Sequence, residues 1–145
     1  MSSMPHDLNR FVAAQEPVYS RVVVELAAGA KQSHWMWFVF PQIAGLGFSA
    51  MAQRYAIGSR GEAEAYLAHP VLGPRLIECT RLVLGVGGKT IYAILGSPDD
   101  LKFRSSMTLF DAVSDNPIFA EALEKYYAGE KDPATLATLE RMANS

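Results

Sequence analysis

The stretch "PVYSRVVVELAAGA", residues 17–30, decides the fold class of this 145-residue chain. Its three central valines would suit a β-strand, but the helix-forming residues 25–28, "ELAA", follow them without a break. Pro17 suits the first turn of a helix, and Gly29 suits its end. Apolar side chains recur every four residues along one helical face, at Val18, Val22, Leu26 and Ala30. The stretch therefore predicts an amphipathic helix.

Signals that start and stop helices recur on both sides of this stretch. Ser59 and Glu62 form a capping box, in which the serine accepts from the Glu62 amide and the glutamate reaches back. Polar side chains just before other helical patterns are further expected N-caps: Asp7, Ser97 or Asp99, Asn116 and Asp132. Helices are predicted over residues 8–15, 17–30, 48–56, 63–69, 71–86, 99–114, 118–129 and 134–143. Residues 90–96, "TIYAILG", fit a helix or a strand.

These patterns predict an all-α fold, a single compact domain of seven or eight short helices. No segment alternates cleanly between apolar and polar residues as a half-buried strand does. No repeat of fixed period and no long linker divides the chain. We expect residues 1–6 to be disordered and residues 129–145 to form a peripheral C-terminal helix.

The composition argues against several classes of partner. Half of the residues are apolar and 19% are charged, as in ordinary globular proteins. The net charge of −2 provides no basic face for a phosphate backbone, so we expect no nucleic-acid partner. The N-terminus lacks the pattern of a signal peptide, and no apolar run approaches the ~20 residues that span a bilayer. We therefore expect no membrane partner.

Cysteine and histidine usage predicts neither a disulfide nor a metal site. The single cysteine, Cys79, has no partner for an internal disulfide and lies in an apolar helical pattern, so a buried, inert thiol in a reducing cytoplasm is expected. The three histidines are far apart in the sequence and match no zinc pattern. No cofactor is predicted either.

Two glycine-rich segments imitate nucleotide-binding motifs without meeting their requirements. "GVGGKT", residues 85–90, resembles a phosphate-binding loop, but Val83 occupies the position where the motif needs its first glycine. "GLGFSA", residues 45–50, resembles a dinucleotide fingerprint but lacks the preceding strand. The first segment is interpreted as a helix end and the second as a turn.

The stretch "KQSHWMWFVFPQ", residues 31–42, combines bulky rings with polar side chains. Trp35 and Trp37 are either core anchors or the wall of a pocket. His34 is either a structural histidine bonded to the backbone or a general base or acid. Ser33 and Gln42 add hydrogen-bonding groups at the two ends. Pro41 ends any helix that begins near Ser33.

A second polar group occurs in "DDLKFRSSMTLFDAV", residues 99–113. Lys102, Ser105, Ser106 and Thr108 cluster polar groups on a stretch that also carries large apolar side chains: Leu101, Phe103, Met107, Leu109 and Phe110. Consecutive serines are poor formers of a helix interior, so their presence needs a reason. They either allow close helix packing or bind an anion together with Lys102 or Arg104.

His69 and Arg75 lie in a third segment, "YLAHPVLGPRL", residues 66–76. One interpretation is a helix–helix corner whose geometry is set by Pro70 and Pro74. The other is that both side chains contribute to a pocket.

Three blocks together resemble the bacterial family called domain of unknown function 1810, and the resemblance runs from about Leu8 to about Tyr127. The blocks are "HWMWFVFPQIAGLG" (residues 34–47), "YLAHPVLGPRL" (66–76) and "DDLKFRSSMTLFDAV" (99–113). The resemblance implies a compact all-helical fold and no established activity. Members are sometimes labelled calpastatin, and nothing in this sequence supports that label. The family signature falls on Ser33, His34, Trp35, Trp37, Phe40, Pro41, Gln42, Gly45, Gly47, His69, Pro70, Leu72, Gly73, Lys102, Ser105, Ser106, Met107, Thr108 and Phe110.

The sequence hypothesis is a pocket for a small anionic or nucleotide-like ligand, walled by aromatic rings. Its expected ligand-binding residues are Ser33, Trp35, Trp37, Gln42, His69, Arg75, Ser105, Ser106 and Thr108. If chemistry occurs there, His34 is the expected general base or acid and Lys102 the electrostatic stabiliser. The alternative is a non-catalytic adaptor domain, in which these polar groups are satisfied internally and a surface patch binds another protein.

Overall fold

The computed structural model describes residues 7–143, and these residues form an all-α fold. The predicted disorder of residues 1–6 concerns residues outside this range. The described part has ten helices, more than predicted: α1 (Asn9–Gln15), α2 (Tyr19–Ala27), α3 (Met36–Val39), α4 (Ala50–Arg54), α5 (Arg60–Ala68), α6 (Leu72–Leu84), α7 (Ile91–Leu95), α8 (Asp99–Val113), α9 (Ile118–Tyr127) and α10 (Pro133–Ala143). Within residues 7–143, no helix is both long and apolar enough to cross a membrane.

Several of the local start signals act as expected, but Asp7 does not: α1 is preceded by Leu8 as its N-cap, and no side chain caps it. The Ser59 hydroxyl accepts from the Glu62 backbone N–H at 3.0 Å. The Glu62 carboxylate reaches back one residue further than a capping box predicts, to the Gly58 N–H at 2.6 Å. The ambiguous segment 90–96 is helical over α7, because the Thr90 hydroxyl accepts from the Ala93 N–H.

The N-terminus of α8 differs from the expectation. Neither Ser97 nor Asp99 caps it, since α8 begins after Pro98 without a side-chain hydrogen bond to its first turn. Asp99 is instead the first residue of the helix, and its carboxylate forms ion pairs with two lysines. A carboxylate at this position still interacts favourably with the positive end of the helix dipole.

The core is organised around α8, which packs against α5, α7, α9 and α10. Phe103, Met107 and Phe110 are fully buried along it. The rings of Phe40 and Phe103 meet edge to face, with their centres 4.9 Å apart. Such aromatic pairs add specific geometry to the burial of large apolar areas, so α3 and the segment after it are fixed against α8.

The corner between α5 and α6 explains the block at residues 66–76. His69 Nδ1 accepts from the backbone N–H groups of Val71 and Leu72, at 3.0 and 3.3 Å, and so caps the start of α6. Gly73 is required there, because a Cβ atom would lie 2.1 Å from the Leu67 carbonyl oxygen. This confirms the helix–helix corner predicted from the prolines.

A short backbone bridge positions the segment that follows α3. Ile43 pairs with Ile57 in an isolated parallel bridge, which places two bonds of 2.8 Å: Ala44 N–H to the Ile57 carbonyl, and Ile57 N–H to the Gln42 carbonyl. Gly47 then packs on α4 so closely that a Cβ atom would lie 2.7 Å from the Ala52 Cβ. These contacts fix Gln42 beside Ile57 and Gly47 against α4.

Cys79 is buried in α6, as predicted. Burial raises the pKa of its thiol to about 12, although a contact with the Tyr19 hydroxyl and the nearby charge of Arg75 act in the opposite direction. A thiol with so high a pKa is a poor nucleophile near neutral pH, which agrees with the expected inert role.

Candidate ligand-binding site

Two adjoining hollows flank the segment after α3. The larger lies between that segment, α8 and the start of α10, and the smaller lies between the same segment, α3 and α4. The larger hollow has a volume of about 320 Å³. Its lining includes Gln42, Leu101, Lys102, Ser105 and Asp132. The smaller hollow has a volume of about 150 Å³, and Trp37, Ile43, Ala52 and Tyr55 contribute to its lining. Both hollows share Gln42 and Gly47, so they are neighbours.

Lys102 connects the two hollows. Its Nζ lies 5.1 Å from the centre of the Trp37 ring, a distance that permits a cation–π interaction, while the side chain also lines the larger hollow. Trp37 is only partly buried and contributes to the smaller hollow, which suits the predicted role of a pocket wall.

Two lysines share the Asp99 carboxylate. Lys31 Nζ lies 2.9 Å from Asp99 Oδ2, whereas Lys102 Nζ lies 3.8 Å from Asp99 Oδ1. At 3.8 Å the contact of Lys102 is longer than a hydrogen bond, so it occupies none of the three donors of that ammonium. Lys102 therefore keeps donor capacity that no close acceptor among residues 7–143 uses.

Ser105 and Thr108 use their hydroxyl groups to hold Asp132 beside α8. Ser105 Oγ lies 3.0 Å from Asp132 Oδ2, and Thr108 Oγ1 accepts from the Asp132 backbone N–H at 2.9 Å. Thr135 adds two more bonds to the same Oδ2, from its N–H at 3.1 Å and its hydroxyl at 2.5 Å. Ser105 lines the larger hollow, whereas Thr108 is buried and does not.

Ser33 and Trp35 belong to a different cluster, which surrounds the Glu25 carboxylate. This carboxylate accepts four hydrogen bonds, from the N–H groups of Gln32 and Ser33, the Ser33 hydroxyl and the Trp35 indole N–H. Burial alone would raise the pKa of Glu25, but these bonds outweigh it and lower that pKa to about 2. Trp35, 1% exposed, is thus a core anchor rather than a pocket wall.

The structure does not bring His34 to either hollow. Its side chain is exposed in the turn before α3, and it forms no hydrogen bond or ion pair with the other described residues. This differs from the expected convergence with Lys102. The reason is geometric: the two neighbours of His34 are drawn inward by Glu25, so the imidazole between them points away.

Arg75, His69 and Ser106 also lie outside both hollows. Arg75 donates to Gln15 Oε1 at 3.3 Å and pairs with Glu16 at 2.9 Å, and its guanidinium lies over the Tyr19 ring. His69 caps α6. Ser106 is fully buried in α8, and within residues 7–143 its hydroxyl finds no hydrogen-bond partner. The small size of Ser106 suits close helix packing, the first of the two explanations that the sequence left open.

A comparison with protein families shows which family the chain belongs to. Residues 5–139 match the family model described as "Protein of unknown function (DUF1810)". The chain belongs to the DUF1810 family. The resemblance noted in the sequence is therefore confirmed.

A solved structure supports the DUF1810 fold independently. The chain is 58% identical to the conserved hypothetical protein Rv1873 from Mycobacterium tuberculosis, whose crystal structure superimposes with a TM-score of 0.93. The similarity covers 94% of this chain and 99% of that one. No curated protein matches the chain.

Asp132 is the residue of this DUF1810 site that the sequence did not identify. It was predicted only as the N-cap of α10, and the bond from the Thr135 N–H confirms that role. Its second role depends on Ser105 and Thr108, 27 and 24 residues away in the chain. The sequence signal that could have indicated this role is the pair of hydroxyl groups of Ser105 and Thr108, because buried hydroxyls need a hydrogen-bond partner elsewhere in the fold.

The described residues can also be searched for a group of side chains that could bind a metal ion. Within residues 7–143, no three His, Cys, Asp or Glu side chains gather as the ligands of a metal ion would. The chemistry that the larger hollow offers is therefore that of an ammonium, a carboxylate, a hydroxyl and an amide.

Proposed function

We propose that this DUF1810 protein binds a small anionic ligand that carries a ring, such as a nucleotide-like molecule, across the two hollows. The observation that carries the proposal is the position of Lys102. Its ammonium lines the larger hollow, contacts Trp37 and has its nearest carboxylate only at 3.8 Å. A partly desolvated ammonium with unused donors is a suitable partner for a carboxylate or a phosphate group.

The sizes of the hollows support such a ligand. The larger one, at about 320 Å³, lies at the lower end of the range of about 300–1,000 Å³ for small-molecule sites. The smaller one, at about 150 Å³, matches the volume of an apolar cavity that holds a benzene ring, roughly 150 Å³. Trp37 and Tyr55 supply aromatic surface for a ring to contact.

The proposal assigns distinct roles to the residues that meet at the hollows. Lys102 pairs with the anionic group, Gln42 adds a hydrogen bond, and Trp37 contacts the ring. Ser105 can only accept a bond from the ligand, because its own proton is donated to Asp132. His34 has no part in it, so the proposal is binding without a general base. The expected setting is the cytoplasm, where reducing conditions keep Cys79 a free thiol.

A thermal-shift screen of the purified protein tests the proposal. The panel contains nucleoside monophosphates, sugar phosphates and small dicarboxylates, and each hit is then titrated by calorimetry. We expect at least one compound to raise Tm, and Lys102→Ala to weaken its binding by about tenfold or more, because a charge-assisted bond contributes about 1.5–3 kcal/mol.

A matched variant controls for the loss of one positive charge. Arg81 is an exposed residue of α6 that lines neither hollow, so Arg81→Ala should leave the affinity unchanged. Equal weakening by both substitutions would show only a general effect of charge. Silence across the panel, together with recovery of a protein partner by pull-down, would instead favour the adaptor function.

A further inference from the structure

Asp132 places an unneutralised carboxylate in the same hollow as Lys102. All three hydrogen bonds that the carboxylate accepts go to Oδ2, and Oδ1 accepts none from residues 7–143. Oδ1 is not buried either. Among the described residues, the buried side-chain atoms without a hydrogen-bond partner are Asp100 Oδ1 and Ser106 Oγ. It is therefore an accessible acceptor.

No cation among residues 7–143 pairs with Asp132 within 4.0 Å, although Lys102 lines the same hollow. Each of the two charges is held by other groups. The Trp37 ring and Asp99 attract Lys102, while Ser105 and Thr135 fix Asp132. The hollow thus keeps two opposite charges apart, each with unused hydrogen-bonding capacity.

A purely anionic ligand satisfies only half of this arrangement. Its negative group gains from Lys102 but is repelled by Asp132, which lines the same hollow. A ligand that also carries a donor, either a hydroxyl or an ammonium group, gains a charge-assisted bond to the carboxylate instead. Carboxylates recognise ribose hydroxyls in this way in dinucleotide-binding folds.

We propose that Asp132 is a ligand-contacting, specificity-determining residue, and that the ligand carries a hydroxyl or ammonium donor beside its anionic group. This rests on the proposed function, because it takes the same hollow and the same Lys102 contact as given. It narrows the ligand class from anions to molecules in which an anionic group and a donor lie close together, attached to a ring.

Two matched pairs of compounds test the donor requirement by calorimetry. Phenylalanine and phenylpropionate differ by an ammonium group, and cytidine monophosphate and its dideoxy analogue differ by the ribose hydroxyls. In at least one pair, the wild-type protein should bind the donor-bearing member about tenfold or more tightly than its partner. The pair that shows the difference identifies the donor as ammonium or hydroxyl.

The variant Asp132→Asn shows which residue recognises the donor. Asparagine is also a good N-cap, so α10 and the fold should be retained, which a thermal melt checks. The amide oxygen would stay on the donors from Ser105 and Thr135, which turns the amide NH₂ toward the hollow. We expect weaker binding of the donor-bearing compound and unchanged or tighter binding of the donor-free one.

Asp115→Asn is the matched control, because Asp115 is exposed and lines neither hollow. This variant should change the affinity for neither compound.

Three outcomes overturn the inference. Equal affinities within both pairs would remove the donor requirement. An equal loss for both members in Asp132→Asn would give Asp132 a structural role only. Failure of all four compounds to bind at millimolar concentration would reject the ligand class, whereas the proposed function fails only if no anion in the wider panel binds through Lys102.

Discussion

Glu25 and Asp132 are both carboxylates held by hydroxyl and backbone N–H donors, but they differ in whether a carboxylate oxygen is left without a hydrogen bond. Glu25 accepts on both oxygens: Oε1 takes three bonds and Oε2 takes one. Asp132 accepts three bonds on Oδ2 and none on Oδ1 from the described residues. The first carboxylate is 8% exposed in the interior, whereas the second lines a hollow.

The difference separates structural polar clusters from candidate binding groups. In sequence the two clusters look alike, since each combines serine or threonine with apolar blocks. A carboxylate whose acceptor positions are filled can only stabilise the fold, because it has nothing left to offer a ligand. A carboxylate that is fixed on one side and open on the other is preorganised for binding.

The largest expected effect is the loss of stability on removal of Glu25. Glu25→Ala leaves the Trp35 indole N–H, the Ser33 hydroxyl and two backbone N–H groups without their acceptor, so we expect the free energy of unfolding to fall by about 4 kcal/mol. Urea unfolding followed by circular dichroism measures it. Glu16→Ala is the control, since Glu16 forms only a surface ion pair with Arg75, worth about 1 kcal/mol or less. Similar losses in both variants would contradict the special role of the buried cluster.

The next effect is a dependence of stability on pH that comes from Glu25. Its pKa is lowered from 4.5 in the unfolded chain to about 2 in the folded protein, so the unfolded state binds the proton more readily. The stabilisation is fully present above about pH 4.5 and is lost as the pH falls toward about 2. The shift corresponds to about 3 kcal/mol.

Urea unfolding at several pH values across this interval detects the effect. The Glu25→Gln variant lacks the titrating group, so its stability should fall less steeply than that of the wild type over the same interval. Parallel slopes for the two proteins would rule out Glu25 as the source.

The smallest expected effect concerns the two adjacent serines of α8. Ser106→Ala removes a buried hydroxyl that has no partner among the described residues, so stability should stay equal or rise by up to about 1 kcal/mol. Ser105→Ala removes a hydroxyl that lies 3.0 Å from Asp132 Oδ2, so stability should fall by about 1 kcal/mol. Differential scanning calorimetry of both variants compares them directly. A loss at Ser106 as large as that at Ser105 would refute the distinction.

Local sequence signals were sufficient for the fold. Capping residues, prolines and apolar spacing act within a few residues of the helix they start or stop, so the all-α fold followed from them. The two extra helices, α3 and α7, are short, with four and five residues. Segments of that length carry too few apolar positions for a period to be recognised.

The candidate site could be predicted only in part. Gln42, Lys102 and Ser105 were expected to lie together, and all three line the larger hollow, while Trp37 lines the smaller one. Sequence spacing could not show that His34 points outward, because that direction depends on the bonds of its neighbours to Glu25. Nor could it show the open side of Asp132, which depends on hydroxyl groups from a distant helix.

The shared position of Asp99 has a consequence for how Lys102 can move. If Lys102 swings toward the anion of the proposed function, it gives up a loose contact, and Lys31 stays at 2.9 Å from Asp99 to neutralise it. No stranded negative charge opposes the swing, so the penalty that usually accompanies the breaking of a half-buried ion pair is small here. Because Lys31 neutralises Asp99 by itself, Lys102 is not needed as the counter-ion of that aspartate.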